Sequence, residues 1–189
     1  ATGSELVPPS EVPGPGKIRN SNSYAMAACA REAGAEAHML PIVQDTFEAL
    51  RDAVAQAARE YDFVVTTGGA ANGDFDFIKP VVAELGELLM TTVNMRPGKA
   101  QTFGIVEGTP VFGLPGNPAA AYVGFQMLIR PALRTMQGYR LMDHPVVKAR
   151  LTADEKNRDP RRIYLRANLT RTAEGYEVTP AKNQSSGLF

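Results

Sequence analysis

A glycine-rich segment between two apolar runs constrains the fold of this chain more than any other stretch. Residues 66–80 read TTGGAANGDFDFIKP, and they lie between the apolar runs 63–65 and 81–83. This order is typical of a strand, a tight loop and a helix. Three glycines allow backbone N–H groups to approach an anionic group, and the N-terminus of the next helix favours phosphate. The loop is equally compatible with a plain connector, because strand-to-helix turns also need glycine.

Two further turns follow apolar segments in the same way. They are Arg96-Pro97-Gly98-Lys99 and the turn 114–118, which reads LPGNP. In a parallel α/β sheet, ligands bind in the crevice outside the C-terminal ends of the strands. Because all three turns come after predicted strands, we expect one rim of the sheet to gather them.

Composition excludes several classes of function. The 189 residues carry 20 basic and 20 acidic side chains, which gives no electrostatic case for a nucleic acid or an anionic membrane as partner. No apolar run approaches the roughly 18 to 20 residues that span a bilayer, so we expect a cytoplasmic protein with a small-molecule substrate. The single cysteine, Cys29, lies in an alanine-rich helical stretch, where a buried packing role is favoured over a nucleophile. One cysteine and two histidines weigh against a zinc site.

Hydrophobic periodicity predicts an α/β domain over residues 1–141 and a small all-β domain over residues 142–189. The alternation of strands and helices indicates βαβ units and a mostly parallel sheet. The charged run 154–162 is expected to be a solvated loop. Helices are predicted over 23–32, 46–60, 80–85 and 119–136, and strands over 39–43, 63–66, 88–95, 101–106, 109–114, 146–151, 163–169 and 176–179.

Charged residues in and near the turns suggest an anion site with a divalent cation. Arg96 and Lys99 suit a phosphate, whereas Glu5, Asp45 and Asp76 suit Mg²⁺ through carboxylate oxygens. A bridging metal would relieve the repulsion between carboxylates and phosphate. Alternatives remain open, because Asp45 and Asp76 are also suited to capping the next helix. The other three are compatible with ordinary surface charges.

The motifs resemble those of the MoeA and gephyrin E-domain family of molybdopterin molybdenumtransferases. The resemblance is carried by residues 2–6, 68–79, 96–99 and 114–118, which stand in the family's order and at similar spacing. Residues 142–189 resemble the family's C-terminal domain more loosely. The resemblance implies a MogA-like, three-layer α/β fold that binds molybdopterin. It also implies Mg²⁺-dependent insertion of molybdate into adenylylated molybdopterin with release of AMP.

The resemblance also implies roles for individual residues. Asp45, Asp76, Arg96 and Lys99 are expected to be catalytic, and Glu5, Asp45 and Asp76 are expected to bind the metal. The expected cofactor-binding residues come from the two glycine turns, and they are Gly68, Gly69, Asn72, Gly73, Pro115, Gly116, Asn117 and Pro118.

Four positions depart from the family pattern. Ala71 and Ala120 stand where the family usually carries serine, Arg96 where it carries lysine, and Ala100 where it carries proline. Loss of each hydroxyl donor is expected to weaken anion binding by about 0.5–1.5 kcal/mol. The departures therefore bear on activity more than on fold.

The resemblance implies a homodimer whose site includes N-terminal domains of the partner chain. The start of the chain at Ala1 is typical of a strand end in an excised piece, so we expect the 189 residues alone to bind and turn over poorly. A molybdopterin adenylyltransferase is a further expected partner. Two alternative functions are an adenylyltransferase of MogA type, against which the trailing β domain argues, and a gephyrin-like scaffold that dimerises and binds partner peptides.

Overall fold

The computed structural model describes residues 1–69 and 77–185. The helices in these ranges are α1 (Asn22–Glu32), α2 (Phe47–Glu60), α3 (Ile78–Leu85), α4 (Pro118–Gly124) and α5 (Arg130–Met136), with a π-helical turn (Phe125–Ile129) between the last two. The strands are β1 (Leu6–Val7), β2 (Ile18–Arg19), β3 (Val64–Thr67), β4 (Gly86–Thr92), β5 (Met95–Arg96), β6 (Ala100–Val106), β7 (Thr109–Leu114), β8 (Arg150–Leu151), β9 (Arg162–Ile163), β10 (Ala167–Thr172) and β11 (Gly175–Pro180).

The central sheet is mixed, with the strand order β3-β7-β6-β4. β3 and β7 run parallel, whereas β6 is antiparallel to both β7 and β4. The reason is the two-residue turn at Glu107 and Gly108, whose positive φ angles of 50° and 84° suit a tight hairpin. The expectation of a mostly parallel sheet therefore holds only for the β3 side, where Thr2 adds a parallel bridge to Val43.

Helices cover both faces of this sheet, so the domain has three layers as predicted. One core joins α2 and α3 to the sheet through Leu50, Val81 and Val111, and the other joins α1 and the 118–136 helical region through Met26 and Phe112. The neighbours Val111 and Phe112 enter opposite cores because successive strand residues point to opposite faces. The alternation in β7 thus fixes which helices lie on which side.

Four predicted strands differ from the structure. Of the predicted strand 146–151, only β8 (Arg150–Leu151) forms, and the predicted strand 163–169 is divided between β9 and β10. Residues 39–43 form only the single bridge at Val43, and the side chains of Met39 and Leu40 are about half exposed. Pro41 within the segment lacks the N–H that a ladder needs. The predicted strand 88–95 begins earlier, at Gly86, and its last residue belongs to the separate strand β5.

The predicted helix 119–136 is present but contains a π-helical turn. The turn Phe125–Ile129 lies just before Pro131, a residue type that kinks helices. Proline has no N–H and its ring crowds the carbonyl four residues earlier, so the wider turn accommodates it. The helix continues through α5 with both parts packed on the sheet.

The C-terminal strands form a small sheet in the order β10-β11-β8. A separate parallel ladder joins β9 to β5, so the C-terminal region contacts the strand that begins the 96–99 turn. In residues 1–69 and 77–185, none of the helices has the length and apolar character needed to cross a bilayer. The domain division at 141 and 142 stays a prediction.

Truncation of the buried α2 face should destabilise the chain strongly. Leu50 is only 2% exposed, so we expect Leu50→Ala to lower the free energy of unfolding by about 2–5 kcal/mol through lost burial and a residual cavity. Leu141, which is 80% exposed, provides the matched control. Leu141→Ala should change the free energy of unfolding by about 0.5 kcal/mol or less. Urea unfolding monitored by circular dichroism measures both, and equal effects would contradict the assigned core.

Candidate functional site

The first residues of the chain lie at the centre of the candidate site. The N–H of Thr2 donates to the carbonyl of Thr67 at 3.0 Å, and the N–H of Val43 donates to the carbonyl of Ala1 at 2.9 Å. Thr2 is therefore held between β3 and the segment that leads to Asp45. Thr2 thus brings together, at one end of the sheet, the N-terminal residues, the end of β3 and the segment that precedes Asp45.

Gly68 makes the closest backbone approach at this edge. Its φ is +88°, and a Cβ at this position would lie 2.3 Å from the carbonyl oxygen of Thr2. Any larger residue would have to move backbone atoms, so the sequence Gly68-Gly69 is required by both conformation and space. Gly69 has a φ of +62°, which continues the left-handed course of the turn.

The 114–118 turn lies against the first glycine turn. The N–H of Gly68 donates to the carbonyl of Leu114 at 3.1 Å, and a Cβ on Gly116 would lie 3.6 Å from the Gly68 Cα. Asn22 fixes this turn from α1, because its side-chain amide donates to the Gly116 carbonyl at 2.9 Å. We call the surface formed by residues 2–3, 68–69 and 116–117 the glycine rim.

Two carboxylates stand beside the glycine rim. The Thr2 hydroxyl donates to an Asp45 carboxylate oxygen at 3.4 Å, and the Glu5 carboxylate folds back over Gly3. Partial burial raises the pKa of Asp45, the Thr2 hydrogen bond partly offsets this, and the negative charge of Glu5 raises it further. The pair is thus close enough to repel, which suits a cation bound between them.

Asp45 does not cap the helix that follows it. The N-cap of α2 is Thr46, whose hydroxyl accepts from the backbone N–H of Ala49 at 3.3 Å. The capping alternative for Asp45 is therefore wrong. Its carboxylate is directed to Thr2 at the rim instead.

The turn Arg96–Lys99, which we call the basic turn, adjoins the rim through α4. A Cβ on Gly98 would lie 3.4 Å from the carbonyl oxygen of Ala120, in the first turn of that helix. The fully buried Gln101 supports the turn from inside, because its side-chain amide donates to the Gly98 carbonyl at 2.8 Å. Lys99 is exposed at the end of this supported turn.

Arg96 points to the C-terminal region. Its guanidinium donates to a carboxylate oxygen of Asp159 at 3.1 Å. Arg161 binds the same carboxylate, and the hydrogen bonds from both arginines hold the pKa of Asp159 well below its usual range. The structure thus gives Arg96 an ion pair in addition to its predicted role toward phosphate.

Asn117 and Pro118 shape the start of α4. The Asn117 side chain accepts from the backbone N–H of Ala120 at 3.2 Å, and Pro118 occupies the first helical position, where its missing N–H costs nothing. Ala120 is 4% exposed, so this departure from the family serine lies under the basic turn. These contacts fix the start of α4, which links the rim residues 116–117 to the basic turn through Ala120.

The structure brings together most of the predicted site residues that it describes. Glu5 and Asp45 share one end of the sheet with the two glycine turns, and the basic turn lies beside them. Asn72, Gly73 and Asp76, together with Ala71, lie outside the described residues. The functional assignment of all these residues stays a prediction.

Sequence reasoning did not assign roles to four side chains that organise the site. They are Thr2, Asn22, Gln101 and Asp159. Thr2 lies in the motif 2–6, so its position along the chain was a usable signal, whereas Asn22 begins α1 away from the named motifs. Gln101 and Asp159 act through contacts that no sequence pattern indicates, and Asp159 belongs to a run that we interpreted as solvated.

A cavity of about 790 Å³ lies below the rim, between α1, α2 and β3. Its lining is mainly apolar and includes the acidic side chains of Glu36, Glu60 and Asp62, with neither lysine nor arginine among the described residues. Such a lining does not suit an anion. We therefore place the anion site on the glycine rim and not in this cavity.

Cys29 fits the packing role that its sequence context predicts. It is 8% exposed in the core beside α1, and burial raises the pKa of its thiol. A raised pKa disfavours the thiolate that nucleophilic chemistry needs.

Fold and site together define a three-layer α/β protein with a glycine-lined, acid-bearing rim. Residues 1–135 match the family model described as "Probable molybdopterin binding domain", and residues 148–189 match the "MoeA C-terminal region (domain IV)". The chain belongs to the molybdopterin-binding domain family. The resemblance to MoeA predicted from the motifs is confirmed.

Relatives and solved structures agree with this assignment. The molybdopterin molybdenumtransferases of Staphylococcus epidermidis and Staphylococcus aureus (strain COL) are 36% and 37% identical to the chain over 188 residues, which is 99% of the chain and 45% of each relative. The chain thus spans about half the length of the curated relatives it matches. The molybdopterin biosynthesis MoeA protein from Pyrococcus horikosii is 31% identical with a TM-score of 0.76, covering 96% of this chain and 44% of that one.

A smaller protein shares the fold of the α/β part. The tungsten cofactor synthesizing protein MoaB from Pyrococcus furiosus is 20% identical with a TM-score of 0.52, over 67% of this chain and 89% of that chain. At this identity, the likeness shows the fold alone.

Adding a side chain at Gly68 should destabilise the chain by more than left-handed backbone strain alone. Gly108 provides a matched control, because its φ of +84° resembles the +88° of Gly68 while a Cβ there meets no atom within 4 Å. We expect Gly108→Ala to cost about 1–2 kcal/mol from left-handed backbone strain alone. Gly68→Ala should cost about 1–3 kcal/mol more through overpacking against Thr2. Denaturant unfolding measures both, and equal costs would contradict the close approach.

Neutralising Asp45 should stabilise the chain at neutral pH. Because its pKa is raised in the fold, ionisation favours the unfolded chain, and the free energy of unfolding falls as pH rises through the aspartate range. Asp45→Asn keeps an acceptor for Thr2 and should raise the melting temperature at pH 7, with the gain shrinking toward pH 3. Asp62→Asn, at an exposed position, is the control. A loss of stability at pH 7 in the Asp45 variant would contradict the raised pKa of Asp45.

Proposed function

We propose that this chain binds molybdopterin at the glycine rim as part of a molybdopterin molybdenumtransferase. The reaction is the insertion of molybdate into adenylylated molybdopterin with release of AMP, in molybdenum cofactor biosynthesis. The observation that carries the proposal is the convergence of Glu5, Asp45, Gly68 and Gly116 at one end of the sheet. Family membership and the names of the relatives support it.

The glycine rim and the basic turn contribute different groups to the binding of an anionic pterin. Backbone N–H groups near Gly69 and Gly116 suit a phosphate, because glycine lets the ligand approach the backbone closely. Lys99 supplies a mobile positive charge for phosphate or molybdate oxygens from the supported turn. Together they neutralise and orient the ligand while leaving its reacting part exposed at the rim.

The carboxylate pair fits Mg²⁺. Glu5 and Asp45 offer hard oxygen ligands, and their mutual repulsion falls when a cation binds. Mg²⁺ is commonly held by one or two carboxylates together with substrate phosphates, so this pair is sufficient. In the described residues, 1–69 and 77–185, groups of three or more potential metal ligands are absent, and the third predicted ligand, Asp76, lies outside these ranges. Bound Mg²⁺ would supply charge neutralisation at the phosphoanhydride of the adenylylated substrate.

The C-terminal region favours this proposal over the adenylyltransferase alternative. Residues 148–189 match the MoeA C-terminal region, and strand β9 within this region contacts the basic turn through the β5–β9 ladder.

A scaffold function has weaker support, although Leu141 and Val146 expose 80% and 92% of their surface. Such a surface is compatible with the predicted homodimer. The dimer, an adenylyltransferase partner and the cytoplasmic location stay predictions.

Removal of charge at the site should weaken ligand binding without unfolding the chain. We expect Lys99→Ala and Glu5→Gln each to raise the dissociation constant for molybdopterin about ten-fold or more, as for a lost charged hydrogen-bond partner of about 1.5–3 kcal/mol. The effect of Glu5→Gln should require Mg²⁺, whereas that of Lys99→Ala should not. Titration of molybdopterin, monitored by pterin fluorescence with and without Mg²⁺, measures both.

Matched controls come from the exposed C-terminal region. Lys148→Ala and Glu155→Gln make the same charge changes away from the rim and should leave binding unchanged. Binding is the readout because we expect turnover by these 189 residues alone to be low. Failure of the unchanged chain to bind molybdopterin at all, or equal losses in the controls, would overturn the proposed function.

A further inference from the structure

The basic turn is clamped from two sides by different parts of the chain. From inside, the buried Gln101 donates to the Gly98 carbonyl at 2.8 Å. From outside, Asp159 accepts from the Arg96 guanidinium at 3.1 Å. The inner clamp belongs to the α/β part, whereas the outer clamp belongs to the C-terminal region.

Asp159 is itself held in place. It accepts from the backbone N–H of Arg161 at 3.0 Å and from the guanidinium of the same residue at 2.8 Å and 2.6 Å. Its side chain is 10% exposed, whereas that of Arg96 is 59% exposed. The anchored partner is therefore the carboxylate, and the arginine is the group that it positions.

Backbone hydrogen bonds also connect Arg96 and its neighbour Asn94 to the C-terminal region. Tyr164 donates its N–H to the Arg96 carbonyl at 2.8 Å, and Arg162 donates its N–H to the Asn94 carbonyl at 3.2 Å. Both the backbone and the side chain of Arg96 are thus bound by residues 159–164. An arginine suits this arrangement, because its planar guanidinium keeps a fixed geometry when it pairs with a carboxylate.

We propose that Asp159 is a positioning residue for the basic turn, through which the C-terminal region sets the place of Lys99 at the rim. Asp159 also screens Arg96 and Arg161 from each other, since both donate to the same carboxylate oxygen. Without that charge the two guanidinium groups repel each other, and the outer clamp opens. The consequence for ligand binding rests on the proposed function, but the consequence for the turn does not.

Hydrogen exchange tests the positioning without a ligand. The N–H of Val93, which lies before the basic turn, donates to the carbonyl of Lys99 at its end at 2.9 Å and so reports whether the turn is closed. Asp159→Asn should accelerate exchange at Val93 about five-fold or more, while amides of the β6–β7 hairpin keep their rates. Asp154→Asn makes the same change at an exposed position and should have no effect. Unchanged exchange at Val93 in the Asp159 variant would overturn the proposal.

A double-mutant cycle tests whether Asp159 acts through Arg96. We expect Asp159→Asn to raise the dissociation constant for molybdopterin about three- to ten-fold while the chain stays folded. In an Arg96→Gln background, the same change should add little, because the group that Asp159 positions is already gone. Multiplicative losses in the double variant would overturn the route through Arg96. If the unchanged chain does not bind molybdopterin, the proposed function fails, and hydrogen exchange still decides the positioning role.

Discussion

The backbone of Thr2 packs directly on Gly68, and the candidate site depends on this contact. Because Gly68 has no side chain, the carbonyl oxygen of Thr2 can lie only 2.3 Å from the position that a Cβ would occupy. That proximity allows Thr2 to pair with Thr67 on one side and to bridge Val43 on the other. Residues that are far apart along the chain therefore lie close together at the same end of the sheet.

The consequences of this packing extend to both the acids and the anion-binding groups. The bridge to Val43 brings Asp45 within hydrogen-bonding distance of the Thr2 hydroxyl, and the residues after Thr2 bring Glu5 beside it. On the opposite side, Gly68 contacts Gly116 and so adds the turn that starts α4. One short backbone contact therefore positions cation ligands and anion donors as neighbours.

Much of this arrangement could be predicted, because it follows from local chemistry. Glycine turns after apolar strands indicated a rim, and hydrophobic periodicity indicated the strands 101–106 and 109–114, which are present as β6 and β7. Other features depend on competition between neighbours, which sequence patterns do not resolve. Asp45 and Thr46 are both good capping residues, and only packing shows that Thr46 caps α2 while Asp45 faces the rim. Asp159 stayed hidden because its partner Arg96 lies 63 residues away.

Functional sites often keep groups that lower stability, and the carboxylate pair illustrates why. Burial and the charge of Glu5 both disfavour ionised Asp45, so a fold selected for stability alone would replace one of the acids. The repulsion is useful if a cation binds, because binding then relieves a cost already present in the protein. The same logic applies to the basic turn, where Lys99 is exposed while Arg96 is paired with Asp159. In residues 1–69 and 77–185, charge is thus left unpaired where a ligand can pair it, and it is paired where the protein needs a fixed structure.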